Sequence, residues 1–238
     1  MNRPPEAVTL HVWGVDSHRV PGALWRMAAQ RRQLRACPGA TFAKLMGTGS
    51  GETFTVADSD LQHWALLVSW DAPQAAASFE RSRIVTSWNR AAHERLRLEL
   101  TPLASTGRWS GRTPFGEPEP TPFEGPVAAL TRARLRASKA TAFWKSVPPV
   151  SRALHEAPGL LLAMGIGEAP VGLQGTFSVW ESTAHLSRFA YDDPEHQDVV
   201  RRTREVGWYA EELFARFAVT EHSGTYRGRP LTTEGVAP

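Results

Sequence analysis

Cysteine is almost missing from this chain of 238 residues, and long apolar runs are missing altogether. Cys37 stands alone, which excludes an internal disulfide and a cysteine-based metal cage, and a lone thiol is typical of a reducing compartment. No stretch approaches the roughly 20 apolar residues that a membrane-spanning helix needs, and no hydrophobic signal core follows the polar residues 1–6. We therefore expect a soluble, cytoplasmic protein.

Signatures of nucleic-acid and nucleotide binding are missing as well. Lysine occurs only at Lys44, Lys139 and Lys145, so the net charge of +3 rests on dispersed arginines. A basic arm, a zinc finger and an RNA-binding signature are all lacking, which argues against a nucleic-acid partner. The glycines of 47–49 and 165–167 lack the full dinucleotide and P-loop fingerprints, and their repetition favours hairpin turns instead.

An internal repeat is the most informative feature that is present. The run Met-Gly-Thr-Gly at 46–49 recurs as Met-Gly-Ile-Gly at 164–167, 118 positions later. A Pro-Gly pair precedes each copy, at 38–39 and 158–159, and a strand closed by tryptophan follows each copy, ending at Trp70 and Trp180. Matched order with one change of loop length indicates a duplicated unit.

The pattern of elements is the same in both copies. In the first copy the predicted order is strand 8–13, helix 21–36, strand 41–46, strand 63–70, helix 75–98 and a leading-out segment 100–109. In the second copy it is strand 127–136, helix 140–155 broken by Pro148 and Pro149, strands 160–165 and 176–180, a helical region 184–217 interrupted near 192–194, and strand 219–226.

Strand-helix-strand-strand-helix-strand is the ferredoxin-like plan. One such sheet leaves an apolar face uncovered, and two sheets can bury these faces against each other as a barrel. We therefore predict an α+β fold in which tandem ferredoxin-like halves form a dimeric alpha-beta barrel within one chain. The predicted divisions are an N-terminal half at 1–110, a proline-rich linker at 111–126 and a C-terminal half at 127–238.

Five segments of this sequence together resemble the spheroidene monooxygenase family. They are Gly-Arg-Trp-Ser-Gly-Arg-Thr-Pro-Phe at 107–115, Ala-Leu-Thr-Arg-Ala at 129–133, Gly-Ile-Gly-Glu at 165–168, Gln-Gly-Thr-Phe-Ser-Val-Trp at 174–180, and the closing run at 207–217. The resemblance extends over roughly 8–230. It implies an oxygenase on a dimeric alpha-beta barrel, with haem as cofactor, that introduces keto oxygen into acyclic carotenoids during carotenoid biosynthesis. The segments are family markers and not assigned catalytic residues.

His196 is the candidate axial ligand of haem iron. Related barrels that degrade haem carry a proximal histidine on the second helix, shortly after a strand that ends in tryptophan, and His196 follows Trp180 and Phe189 in this arrangement. Helical steps from position 196 lead to 199, 200, 203, 207, 210 and 214, which predicts an apolar face that points into the barrel. The alternative is a histidine satisfied in the core or at a helix start.

His155 is the second candidate for the iron ligand. It ends the first helix of the second half, just before Pro158 and Gly159, and chlorite dismutase-like relatives of this scaffold use a histidine in such a place. The alternative is a histidine that interacts with the helix dipole. His93 fits a surface or packing role. The remaining histidines show no mutual ligand spacing, which gives little support to a non-haem iron site: His11, His18, His63, His185 and His222.

Three further residues are candidates for cofactor binding. Arg132 lies on one strand face with Arg134 and Arg136, and it would pair with a haem propionate if that face lines the pocket. A solvated strand face is the alternative. Trp180 and Trp208 would wall an apolar site, whereas the alternative is that they belong to the core.

Three functional hypotheses follow. The first is a haem monooxygenase that oxidises a small apolar, carotenoid-like substrate. An external electron donor is then needed, since the sequence has no flavin or iron-sulfur motif. The second is a haem enzyme on the same scaffold with other chemistry, such as aldoxime dehydration or a nitrogen-oxide reaction. The third is a protein that binds haem or a hydrophobic ligand without turnover. A greasy substrate would bring the protein to a membrane surface, and the oligomeric state stays open.

Overall fold

The computed structural model describes residues 3–52, 56–136, 138, 147–169, 174–192 and 206–231. Helices and strands alternate along these ranges in two similar series. The strands are β1 (Ala7–Val15), β2 (Ala40–Gly49), β3 (Ser59–Trp70), β4 (Ala92–Gly107), β5 (Val127–Leu135), β6 (Leu160–Gly167), β7 (Gly175–Trp180), β8 (Tyr209–Tyr226) and β9 (Arg229–Pro230). The helices are α1 (Val20–Arg35), α2 (Pro73–Phe79), α3 (Arg83–Ala91), α4 (Val147–Glu156) and α5 (Thr183–Asp192).

The sheet closes on itself as an antiparallel barrel. Its strand order is β4-β1-β3-β2-β6-β7-β5-β8, and β8 pairs with β4 to complete the ring. Each half therefore has the ferredoxin-like order, and the seams between the halves are the pairs β2–β6 and β4–β8. The predicted fold, a dimeric alpha-beta barrel formed by tandem halves of one chain, is confirmed.

Side chains of alternate strand residues fill the barrel interior. Along β4, Leu96, Leu98 and Leu100 are fully buried, and along β8 the residues Leu213 and Phe217 are equally buried. All five belong to one apolar cluster to which both halves contribute. Because the interior is shared, each half covers the apolar face that the other leaves open.

Three of the predicted helices are wrong over part of their length. The break predicted at Pro148 and Pro149 is wrong, because both prolines lie in the first turn of α4 (Val147–Glu156). The helix predicted over 75–98 is α2 and α3, and residues 92–98 begin β4. The helical region predicted over 184–217 keeps α5, but residues 209–217 form the first half of β8. The helical steps from His196 to positions 210 and 214 therefore do not exist, since Ala210 and Phe214 are exposed strand residues. His196 itself lies outside the described residues.

The repeated glycine segments are strand ends and not hairpin turns. Gly47 of β2 pairs with Gly167 of β6, and Thr48 pairs with Ile166, so the two segments form a seam between the halves. Both strands begin after a glycine with positive φ, Gly39 at 76° and Gly159 at 78°. Met46 and Ile166 lie at the same distance along the chain from these two glycines and are therefore equivalent. The similar runs at 46–49 and 164–167 are thus offset by two residues in the structure.

The proline-rich segment does more than connect the halves. Phe115 is fully buried and packs edge-on against Phe217 at 4.8 Å between ring centroids. It belongs to the cluster that fills the barrel. The segment thus contributes to the shared interior, and the division of the chain at 111–126 remains a prediction. None of the described helices has the length and apolarity needed to cross a bilayer.

Candidate functional site

The strand register defines which positions of the two halves are equivalent. Ala7 of β1 pairs with Trp70 of β3, and Val127 of β5 pairs with Trp180 of β7. Trp13 is therefore equivalent to Ala133, and the same register relates five further pairs of positions on the outer sheet faces. The pairs are Thr9 and Ala129, His11 and Thr131, Leu45 and Gly165, Leu66 and Thr176, and Val68 and Ser178.

Large side chains fill the outer face of the N-terminal half. Trp13, Trp64 and Trp70 are fully buried beneath α1, α2 and α3. The Trp13 ring stacks on Trp88 of α3 at 5.2 Å. Leu45, Leu66 and Val68 complete this layer and are also buried. This half therefore has a well-packed core between sheet and helices.

Small side chains occupy the equivalent face of the C-terminal half, and we call this surface the small-residue face. Thr131 and Thr176 are half-buried there, although the equivalent His11 and Leu66 are buried. Trp180 keeps its size and stacks on Phe189 of α5 at 5.3 Å. The face consists of Ala129, Thr131, Ala133, Gly165, Thr176 and Ser178. This face therefore lacks the large side chains that fill the equivalent layer of the N-terminal half.

A second site is the arginine cluster, defined by Arg132, Glu168, Glu211, Lys44 and Trp109. Arg132 has only 4% of its side chain exposed and donates to Glu168 Oε1 at 2.7 Å and to Glu211 Oε1. Lys44 Nζ donates to Glu168 Oε2 at 2.5 Å, and Trp109 Nε1 donates to Glu168 Oε1 at 2.8 Å. The guanidinium lies 5.6 Å from the Trp109 ring centroid. Charge is balanced within this cluster, as a buried ion pair requires.

Both carboxylates of the arginine cluster are held ionised. Burial alone would raise the pKa of Glu168, but hydrogen bonds from Lys44 and Trp109 outweigh it, so this pKa is lowered. Burial acts likewise on Glu211, whose pKa is lowered by the backbone amides of Gly111 and Ser110 and by Arg132. The cluster is therefore a stable set of charges and not a proton donor near neutral pH.

The two barrel ends carry related carboxylates. Glu94 of β4 is equivalent to Glu211 of β8, and each accepts two backbone amides from a tight turn, at 227–228 and 110–111 respectively. Glu94 Oε2 also contacts Nε2 of His63 at 3.1 Å, and the other ring nitrogen of His63 contacts Asp60 Oδ2 at 2.8 Å. Burial lowers the pKa of His63, but its two carboxylate partners more than reverse this, so the pKa is raised.

The predicted site residues do not converge on one point. Trp180 belongs to the outer layer with α5, whereas Arg132 continues the inward series of Leu130, so the two lie on opposite faces of the sheet. Trp208 packs in a separate cluster with Leu135 and other neighbours. His155 is exposed, and its Nδ1 donates to the Ser151 carbonyl at 2.8 Å. With His196 outside the described residues, the cofactor roles of these residues stay predictions.

Sequence reasoning missed most of the arginine cluster. Glu168, Glu211 and Trp109 were part of the resembling segments, yet no role was predicted for them. A usable signal existed for Glu211, because counting back by two from the apolar residues Phe217, Ala215 and Leu213 gives an inward position. Within the described ranges, no three histidine, cysteine or acidic side chains converge to hold a metal ion.

Comparison with known proteins relates the chain to one group of enzymes. It is 38% identical over 220 residues to the spheroidene monooxygenase of Rhodobacter capsulatus, covering 90% of each protein. It is 36% identical over 192 residues to the spheroidene monooxygenase of Rubrivivax gelatinosus, covering 81% of this chain and 73% of that protein. The enzyme of the same name from Cereibacter sphaeroides is 31% identical over 215 residues, or 66% of its length. No family model matches the sequence.

Solved structures support the same fold. A crystal structure of aldoxime dehydratase superposes with a TM-score of 0.57 over 92% of this chain and 84% of that chain, at 13% sequence identity. A second aldoxime dehydratase, in complex with butyraldoxime, gives 0.56. At this low identity the likeness establishes the barrel and says nothing about the reaction.

Proposed function

The chain belongs to the spheroidene monooxygenase family and is thus an oxidoreductase, and from this membership we propose that it oxygenates an acyclic carotenoid with haem as cofactor. The observation that carries the haem proposal is the small-residue face. Haem is a broad, flat and largely apolar group, and it needs a face without large side chains. The N-terminal half fills that position with Trp13, Leu45 and Leu66, whereas the C-terminal half has Ala133, Gly165 and Thr176.

The residues that would hold haem are proposed as follows. Trp180 and Phe189 would border the macrocycle at one end of the small-residue face, since they are stacked there. His196 would hold the haem iron. His155 is the second choice for this role, because its Nδ1 donates to a carbonyl and leaves Nε2 available. Trp208 would contribute apolar wall area next to Leu135.

Arg132 has two possible roles. The sequence-based proposal gives it a haem propionate as partner. Its present partners are Glu168 and Glu211, and it lies on the sheet face opposite to Trp180. The observed contacts join β5 to Glu168 and Glu211, and the remaining Nε is buried, so the interpretation that the arginine cluster fixes β5, β6 and β8 relative to one another is better supported by the contacts.

Haem, when bound, would supply the activation of oxygen, and an external donor would supply the reducing equivalents. The protein would contribute binding and orientation. The small-residue face would admit the macrocycle, and the apolar layer around Leu154, Trp180 and Leu186 would exclude water from it. A long apolar substrate would be oriented by van der Waals contact with the same layer.

Haem titration of the purified protein tests the ligand assignment. We expect a Soret band that is lost in His196→Ala and kept in His155→Ala. The reverse result would move the ligand to His155. A preparation of the unsubstituted protein that takes up no porphyrin would contradict the haem proposal, whatever the variants do.

Filling the small-residue face tests the location. The substitutions Thr176→Leu and Ser178→Val place the N-terminal side chains on the C-terminal face, and we expect haem affinity to fall at least tenfold while the fold is retained. Thr101→Leu makes a comparable change at an exposed position of β4 and should leave the affinity unchanged.

Product analysis with an acyclic carotenoid and a reductant then distinguishes oxygenation from aldoxime dehydration or binding without turnover.

A further inference from the structure

Helix α1 presents an unusual face to solvent. Trp25 is 69% exposed, more than any other large hydrophobic side chain of the described residues. The opposite face of α1 is buried through Met27 and Leu34, as expected of a helix that packs on a sheet. Helical spacing places Trp25 in the middle of an outer stripe that is almost free of charge: Pro21, Gly22, Trp25, Ala28, Ala29, Arg32 and Ala36.

Arginines line this stripe along its length, whereas the exposed aspartates of the described residues nearby, Asp16 and Asp71, lie beyond the ends of the helices. The segments 17–36 and 73–91, which cover the N-terminal half of the sheet, contain a single acidic residue, Glu80. Glu80 turns inward, where it contacts His11 at 2.9 Å and Arg97 at 2.8 Å. The arginines of the two segments are Arg19, Arg26, Arg31, Arg32, Arg35, Arg81, Arg83 and Arg90.

Within the described part of the chain, carboxylates do not neutralise the arginines of α1. Arg26 lies over the Trp88 ring at 5.7 Å, and Arg31 donates to the backbone carbonyl of Glu168 at 2.6 Å. Arg32 and Arg35 are exposed. Among the described residues, no acidic side chain is within ion-pair distance of any α1 arginine. The outer surface of the α1–α3 layer therefore carries an excess of positive charge around an apolar centre, with Asp16 and Asp71 at its margins.

We propose that this face of α1 docks the protein on the surface of an anionic bilayer, with Trp25 in the headgroup region and the arginines on lipid phosphates. Tryptophan prefers this interface because one end of its ring system is apolar and the other is polar. Arginines near anionic lipids add electrostatic attraction that decays within a Debye length.

Charge and area favour a bilayer over a second copy of this chain. Two copies that met through α1 would bring their arginines together. A 16-residue helix is about 24 Å long, and a face of that length and roughly 10 Å width is well below the ~800 Å² per partner of a stable interface.

Docking through α1 is independent of the proposed oxygenase activity. The α1–α3 layer covers the N-terminal half of the barrel, and the small-residue face lies on the C-terminal half. A variant of α1 can therefore lose vesicle binding and keep haem, and a protein without haem can still dock.

Co-sedimentation with vesicles tests the proposal on the full chain. The probes are vesicles of phosphatidylcholine alone and of phosphatidylcholine with phosphatidylglycerol, at low and high salt. We expect binding only to the anionic vesicles, weakened by salt, and reduced about tenfold or more in Arg32→Glu/Arg35→Glu and several-fold in Trp25→Ala. Tyr191→Ala is the matched control, because Tyr191 of α5 is 67% exposed on the other half, and it should bind like the unsubstituted protein.

Four results would overturn docking through α1. The first is no binding to anionic vesicles. The second is equal loss in Tyr191→Ala and Trp25→Ala, which would move the contact to another surface. The third is loss in the arginine variant with full retention in Trp25→Ala, which is expected of a purely charged site for an acidic protein. The fourth is self-association in sedimentation velocity that Trp25→Ala abolishes.

Discussion

At the scale of single residues, Arg132 is a charged side chain at an inward position of the barrel, where most neighbouring side chains are apolar. Its equivalent in the first half is Val12, a residue of the apolar interior. A buried guanidinium is tolerated only where its charge is balanced, and here two carboxylates balance it through the two terminal nitrogens, whereas the buried Nε has no hydrogen-bond partner. The three resembling segments that hold Arg132, Glu168 and Glu211 are distant in sequence and joined at this point.

Removing the guanidinium should strongly destabilise the fold. In Arg132→Met two carboxylates are left partly buried without their partner, and we expect the free energy of unfolding to fall by about 3 kcal/mol. Arg134→Met is the control, since Arg134 is exposed on the same strand. Urea denaturation measures both. Equal small effects of the two substitutions would show that the arginine cluster does not stabilise the barrel.

The contribution of His63 to the free energy of unfolding should decrease as the pH rises. Its pKa is raised in the folded state, so its contribution is fully present below the unfolded pKa of about 6.5 and is lost as pH rises through the folded pKa. His63→Gln should therefore be less stable than the unsubstituted protein at pH 6 by about 1–2 kcal/mol, and the difference should shrink at alkaline pH.

The pH effect is measured as urea midpoints across this range. His222→Gln is the comparison, because His222 is an exposed residue of β8. If the difference between His63→Gln and the unsubstituted protein grew with rising pH, the contacts of His63 with Asp60 and Glu94 would not stabilise the imidazolium.

At the scale of elements, β4 and β8 show why the sequence predicted the barrel but not all of its strands. The duplication and the Pro-Gly and tryptophan anchors were sufficient for the topology, because they recur in the same order. Residues 92–98 and 209–217, however, are rich in Ala, Glu, Arg and Leu, which favour helix. Pairing with neighbouring strands overrides that preference, and the alternation of Leu96, Leu98 and Leu100 was the available signal.

The candidate site was less predictable than the fold. The small-residue face follows from register, which pairs Thr176 with Gly165 and Ser178 with Ala163, and no local pattern reveals those pairings. The helical steps from His196 to positions 210 and 214 were wrong because they extended a helix across residues that belong to β8, and the inward face of His196 itself stays a prediction. Contacts between distant segments, such as Arg132 with Glu211, likewise depend on the closed sheet.

The turn after β4 offers a matched pair of glycine substitutions. Gly107 has φ of 91°, and a Cβ there would lie 2.2 Å from the Glu212 carbonyl oxygen. Gly111 has φ of 71° and open space around it. Gly107→Ala should cost about 3 kcal/mol or more, because backbone must move, and Gly111→Ala only about 1–2 kcal/mol from its left-handed conformation. Thermal unfolding of both variants checks the order, and similar losses would contradict the close approach at Gly107.

At the scale of the whole molecule, the two duplicated halves are similar on the inner faces of their sheets and different on the outer faces. The inner faces are mostly apolar in both halves, since each must cover the other, and Arg132 with its two carboxylates is a charged exception. The outer faces differ: the N-terminal half is packed with tryptophan and leucine, and the C-terminal half carries small residues. The outer layers therefore account for most of the difference between the two halves.

Cutting the chain at an exposed point should leave the barrel intact. Glu119 and Pro120 are exposed, so we expect fragments 1–119 and 120–238 to co-purify as a one-to-one complex when co-expressed. The reasons are the long pairing of β4 with β8 and the packing of Phe115 against Phe217 across the cut. Expressed alone, each fragment would expose its inner face and aggregate.

A substitution of Phe115 tests how much this contact stabilises the complex of the two fragments. Phe115→Ala in the first fragment removes a fully buried ring and should weaken the complex by about 3 kcal/mol or more, whereas Glu117→Ala changes an exposed residue of the same segment and should have no effect. Size-exclusion chromatography and the dissociation constant of the complex measure both. Fragments that are folded and monomeric on their own would show that each half has a complete core, which a shared barrel interior does not allow.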